Sequence, residues 1–222
     1  MKLKKNSRIR RARLFLAGIA WALPAIFILK LNAQQDLGDT TPWHPVRRMI
    51  TEEKPVWLTP TAEPIITIAA VGDLMMSSWI IDVVQEKGVD FPFDSTRHFI
   101  QSAEVAIANL EAPLTTKGER FADKKYTFKV PPHFVAGIAK AGFDIVTMAN
   151  NHIADFGCEG ILNTVAALQE AGIHHCGAGR NIDEACAPTI LDVNGVKVAF
   201  LGFSMTYPDD FWATRTRCGT CY

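Results

Sequence analysis

Three hydrophobic runs in this chain each end on side chains that can hold a cation or move a proton: Ile65 to Asp73, Val105 to Glu111, and Phe143 to His152. A carboxylate offers hard oxygen ligands, an amide a neutral oxygen, and an imidazole either a nitrogen ligand or an acid–base group. The set Asp73, Asn109, Glu111, Asn150, Asn151 and His152 therefore has the makings of metal-assisted chemistry. Asp73 comes directly after Gly72, which leaves backbone room beside a ligand, although Gly-Asp pairs are also common in turns. Asn109 and Glu111 flank Leu110, and an extended backbone directs both to one face, where both could reach one ion. The alternative is a cap by Asn109 and a solvated Glu111. Asn150, Asn151 and His152 come after the apolar run Ile145 to Met148 and are costly to bury without partners, so they are expected to line a cleft or bind a ligand. A turn with a surface histidine is the other reading. Asp155 either orients the His152 imidazole through its second ring nitrogen or caps the next helix, and the spacing does not choose between them.

Side chains scattered over some eighty residues converge only if a sheet brings strand ends together. Ile65 to Val71 is a β-branched run suited to a buried parallel strand, Glu104 to Ala108 a second strand, and Phe143 to Met148 a third. Between them the pattern predicts helices over Ser77 to Lys87, capped by Ser77 or Ser78 and stopped by Gly88, and over Pro132 to Ala141, stopped by Gly142. Cys158 to Ala171 predicts another, stopped by Gly172. Strand alternating with helix implies right-handed βαβ units, a largely parallel sheet, and ligands at its carboxyl edge. Farther on, Pro188 to Val193, Asn194-Gly195 and Val196 to Phe203 predict a hairpin, because Asn-Gly accepts the positive φ of a tight turn.

Other candidates weigh less. His174, His175 and Cys176 alternate faces on a strand, so one ion would not collect all three, and His44, His98 and His133 are isolated. Cys218 and Cys221 have C-x-x-C spacing but open no helix, which argues against a thioredoxin-like centre. With Cys158, Cys176 and Cys186 they make five cysteines, an odd number that allows disulfides and leaves at least one cysteine over.

The formal net charge is zero, yet seven of the 23 basic residues precede Leu14, so the remainder is acidic and carries no nucleic-acid footprint. That basic arm runs into the apolar stretch Leu14 to Leu29. Residues 1–33 are thus expected to be a signal peptide or a membrane anchor, with the rest of the chain facing outward from the membrane or released after cleavage. Residues 34–64, with five prolines, read as a tether, and residues 65–222 as the folded domain.

From Ile65 to Tyr222 the chain resembles the CapA family of bacterial poly-γ-glutamate capsule synthesis proteins. The resemblance rests on Ala70-Val71-Gly72-Asp73-Leu74-Met75, Ala108-Asn109-Leu110-Glu111, Thr147-Met148-Ala149-Asn150-Asn151-His152, Asp155-Phe156-Gly157, Gly177-Ala178-Gly179 and Val198 to Phe203. The likeness implies a calcineurin-like metallophosphoesterase fold, a four-layer α/β sandwich of which this chain holds the amino-terminal half. It also implies one or two divalent ions (Mn, Fe or Zn). Asp73 and Glu111 would be carboxylate ligands, Asn151 the amide ligand and His152 a general acid, while Asn150 stands where related phosphoesterases have glycine. The implied work is capsule polymer synthesis or export at the membrane, with an anionic polymer or its synthase complex as partner. Two roles stay open: a metal-dependent hydrolase, or a polymer-binding or assembly subunit without turnover. As a half sandwich, the chain is expected to bind metal weakly, to hydrolyse nothing measurable, and to leave an apolar face of the 188–203 hairpin uncovered.

Overall fold

The computed structural model describes residues 27–32 and 65–222. In chain order the elements are β1 (Phe27–Asn32), β2 (Ile65–Leu74), α1 (Ile80–Lys87), α2 (Arg97–Ile100), β3 (Val105–Leu110), α3 (Val135–Ala141), β4 (Ile145–Thr147), α4 (Gly157–Glu170) and β5 (His174–Cys176). They continue with β6 (Ala178–Gly179), α5 (Ile182–Ala185), β7 (Thr189–Val193), β8 (Val196–Phe200) and β9 (Gly219–Thr220). Strands β2 to β5 form a parallel sheet in sequence order, and β1 pairs antiparallel at the β2 edge.

The period of two along each strand sorts its side chains into two cores. Ala69, Ala106, Ala108, Leu110, Val146 and Met148 face the helical side with Phe134, Ile138, Ile161 and Leu168. Ile66, Ile68, Val105 and Ile145 face the other side, against Leu191, Val193, Val196 and Val198 of the β7–β8 hairpin. Among the described residues the layers are therefore helices, parallel sheet and hairpin. Asn194 and Gly195 make the hairpin turn at φ 54° and 83°.

Register decides where the chemistry lands. Asp73 pairs with Asn109 and Asn109 with Thr147, after an irregularity between Ala70 and Asp73 that lets β2 reach past the regular ladder. All three lie at the carboxyl ends of neighbouring parallel strands.

Several expectations change. Helix α1 begins later than its pattern predicts: neither Ser77 nor Ser78 caps it, since Trp79 occupies the cap position. The Ser77 hydroxyl instead donates to the Lys129 carbonyl at 2.9 Å, and Ser78 takes φ 60°. Of the expected 188–203 hairpin, the β7–β8 part packs its apolar face on the sheet, and its outward side carries exposed Asp192, Lys197 and Ala199 beside Ile190. The last part of that span, past the end of β8, does leave apolar side chains uncovered at Leu201 and Phe203, with Met205 beyond them. Most of the expected export segment and all of the 34–64 tether lie outside the described residues, while Phe27–Leu29, expected as the end of that segment, belong to β1. Among the described residues no helix is long and apolar enough to cross a membrane.

Candidate active site

At the carboxyl edge of the sheet a hydrogen-bond chain begins in backbone and ends on two carboxylates. The side-chain oxygen of Asn150 accepts the amide protons of His152 and Ile153 at 2.9 and 2.8 Å. That fixes its amide nitrogen, which donates to the Leu110 carbonyl at 2.9 Å and to Asn109 Oδ1 at 3.0 Å. Asn109 is fixed in turn: its oxygen is taken, so its Nδ2 points outward and donates to Asp73 Oδ1 at 2.8 Å and Glu111 Oε2 at 2.6 Å. Two carboxylates thus converge on a single donor. Asn150 can be buried because each polar atom of its amide has a partner.

Asp73 is exposed and Glu111 half-buried. Burial pushes the Glu111 carboxyl above its ordinary range, the Asn109 hydrogen bond draws it back, and the Asp73 charge adds to the rise. Since the folded state holds this proton more tightly, Glu111 contributes its full stability below the ordinary carboxylate range and loses it as pH rises through the raised value. Glu111→Gln, measured by urea unfolding with a chelator present, should accordingly be at least as stable as wild type at neutral pH. The difference should vanish as pH falls; a variant less stable than wild type at neutral pH would contradict this assignment.

The second half of the site is a buried relay. Asp155, fully buried, accepts the Phe128 amide proton at 2.7 Å, lies 2.8 Å from His152 Nδ1, and pairs with the Lys124 ammonium at 2.6 Å. A carboxylate only accepts, so Nδ1 donates; among the described residues Nε2 makes no hydrogen bond. Lys124 stands 3.1 Å from the same Nδ1, and its protons go to Asp155 and to the Asn151 carbonyl. The Phe128 ring packs edge-on against the imidazole at 4.7 Å, and Phe211 lies 5.1 Å from the Lys124 ammonium. Asp155 therefore orients His152 and does not cap α4, whose cap position is Phe156.

The structure brings Asp73, Asn109, Glu111 and Asn150 into one network and joins His152 to it through Asn150. His152 and Lys124 are also near enough to act on the Glu111 carboxyl. Asn109 serves as a clamp on the carboxylates, its oxygen turned away from them. The Asn151 side chain is half-buried and makes no hydrogen bond among the described residues. Sequence reasoning missed Lys124 and Phe128, which sit in a stretch of charged residues that reads as a solvated loop. No signal in the sequence ties them to Asp155, which lies 31 and 27 positions away.

The donor set tests whether a cation fits. Asp73 and Glu111 both aim at the Asn109 amide protons, their negative charges are what would attract a cation, and the unengaged Asn151 side chain offers a neutral oxygen. Among the described residues no group of three or more His, Cys, Asp and Glu could hold a metal ion. The site thus fits a divalent ion only as one held by two carboxylates and completed by neutral donors.

Disulfides Cys158–Cys218 and Cys186–Cys221 tie the last residues to the start of α4 and the end of α5, and Cys176 is buried and unpaired. Cys218 and Cys221 are therefore not partners of each other.

The family model described as bacterial capsule synthesis protein PGA_cap matches residues 67–219. The chain is 30% identical over 158 residues to the capsule biosynthesis protein CapA of Bacillus anthracis, covering 70% of this chain and 38% of that protein. It is 27% identical over 160 residues to the PGA biosynthesis protein CapA of Bacillus subtilis, covering 71% and 42%. The chain spans about two fifths of the length of these relatives. The matched stretch takes in the carboxylate clamp and the Lys124–Asp155–His152 relay alike, and over that stretch the chain belongs to the PGA_cap family of bacterial capsule synthesis proteins.

Proposed function

We propose that this chain carries the cation site of an exported protein of poly-γ-glutamate-type capsule synthesis, with chemistry of the metal-dependent hydrolase kind. The observation that carries the reading is the convergence of Asp73 and Glu111 on one Asn109 amide, held in place from backbone through Asn150. A divalent ion bound there, Mn, Fe or Zn, would supply Lewis acidity toward an ester or phosphate oxygen. The chain's own residues do the rest. Asp73 and Glu111 hold the charge, Asn109 spaces them, and Asn151 offers a neutral ligand. His152, its ring fixed by Asp155, presents Nε2 for proton transfer. Export is supported by the two disulfides, which form and persist in oxidising compartments. In this reading the protein works at the outer side of the membrane beside the machinery that makes or moves the anionic polymer.

A second reading, a polymer-binding or assembly subunit without turnover, is favoured by the small number of charged ligands among the described residues. The test is metal analysis of the purified chain beside hydrolysis of a generic phosphodiester, with Asp73→Asn and Glu111→Gln as controls. Weak, carboxylate-dependent cation binding without measurable turnover is the expected result for this chain, with turnover once it is extended by a relative's carboxyl-terminal half; binding without turnover in the extended protein selects the second reading, and no carboxylate-dependent binding in either overturns the site.

A further inference from the structure

The folded domain is acidic except in one place. Residues 65–222 contain 12 Lys and Arg against 18 Asp and Glu, yet the fifteen residues from Thr115 to Lys129 hold five of those basic residues and only two of the acidic ones. Lys117, Arg120, Lys124, Lys125 and Lys129 are the five. Lys124 is neutralised by Asp155. The other four are exposed, and among the described residues none of them takes part in an ion pair.

This loop is a collar around the candidate site. A bridge between Leu114 and Val130 closes its base. Gly118, at φ 88°, lies so close to the Phe156 carbonyl that any side chain there would collide with it. Phe121 donates its amide proton to the Asp155 carbonyl at 2.9 Å, Phe128 reaches the Asp155 carboxylate, and the Lys129 carbonyl receives the Ser77 hydroxyl. Arg120 shapes the collar from within, its guanidinium donating to Thr127 Oγ1 at 2.8 Å and to the Lys124 carbonyl at 2.7 Å.

We propose that the collar's exposed lysines, Lys117, Lys125 and Lys129, form a binding rim for an extended polycarboxylate chain led toward the carboxylate clamp. Resting on the function proposed above, this names where its anionic polymer would lie. Concentrating cations on one rim of an otherwise acidic surface creates a local attractive field for a polyanion that the rest of the domain repels. The collar's one arginine spends its planar fork on its own loop, which leaves flexible lysine point charges able to follow the repeated carboxylates of a mobile polymer without demanding one fixed geometry. Lys125 sits 5.1 Å over the ring of Tyr126, itself exposed, which adds an apolar surface for a polymer backbone beside the charges.

The test is fluorescence anisotropy of labelled polyglutamate with the full chain, in chelator and over a range of salt. Wild type should bind with an affinity that falls as salt rises, and Lys117→Gln/Lys125→Gln/Lys129→Gln should weaken binding at least tenfold. A control triple elsewhere, Lys87→Gln/Lys140→Gln/Lys197→Gln, should change it less than twofold. Asp73→Asn/Glu111→Gln should bind the polymer as well as wild type or better, so the rim and the cation site fail or succeed separately. Equal losses in the two lysine triples, no binding by wild type at low salt, or tighter binding to anionic phospholipid vesicles with the same lysine dependence would each overturn the proposal.

Discussion

Replacing Lys124 with methionine is expected to destabilise the folded domain by about 3–5 kcal/mol, the range for removing one member of a buried ion pair. Asp155 has no exposed surface and Lys124 little, so the carboxylate left behind could not recover its hydration. Against the roughly 5–15 kcal/mol that holds a typical domain together, this is a large fraction, and it should lower the thermal midpoint by on the order of 10 °C. Adding Asp155→Asn to the lysine variant should restore part of the loss, because the buried charge is gone while an oxygen remains for the Phe128 amide proton. A double variant as unstable as the sum of its singles would show that the pair is not coupled. Thermal and urea unfolding of the four proteins gives the answer.

Reducing both disulfides is the second expected large effect. The bridges close loops of 60 and 35 residues, and each is worth about 2–4 kcal/mol in the usual range. The loss should fall first on the end of the chain. Beyond Phe203 regular structure amounts to a single turn of 3-10 helix, Asp209–Phe211, and the two-residue β9, and the segment is held by contacts such as the Cys221 amide proton to the Gly177 carbonyl and Phe211 against Phe121. Arg215 and Arg217 lie in this segment, so trypsin should cut after them at least ten times faster in dithiol than in oxidised protein, while sites in the parallel sheet stay protected. Mass spectrometry of the fragments measures this directly. Equal cleavage in the two states would mean that the segment is held by its packing alone.

Much of the frame was legible because a period of two, a β-branched run and a glycine at its end are local signals. Strands β2, β3 and β4, helices α3 and α4 and the Asn194-Gly195 hairpin all lie close to where the residues place them. The chemistry at the strand ends was legible for the same reason: Asp73, Asn109 and Asn150 are each the polar residues that end a buried run. What the sequence could not show is which atom of each amide faces which neighbour. The role of Asn109 as a clamp comes from Asn150, whose own orientation is set by two backbone amides some forty residues from Asn109, and no spacing rule contains that chain of constraints. Lys124 was hidden similarly, since its partner Asp155 is 31 positions distant. The expected cap of α1 fails because the helix starts after Trp79: Ser77 is drawn to the collar, where its hydroxyl donates to the Lys129 carbonyl, and Ser78 takes φ 60°, so a tertiary contact overrides local preference.

The central claim is that Asp73 and Glu111 jointly hold a divalent cation beside His152. Paramagnetic broadening of amide resonances by substoichiometric Mn²⁺ tests it most directly, because it detects weak binding and reports position. Broadening should be confined to residues around Asp73, Asn109 to Glu111 and Asn150 to His152, and abolished in Asp73→Asn/Glu111→Gln. Broadening centred elsewhere, or unchanged in the double variant, would contradict the claim.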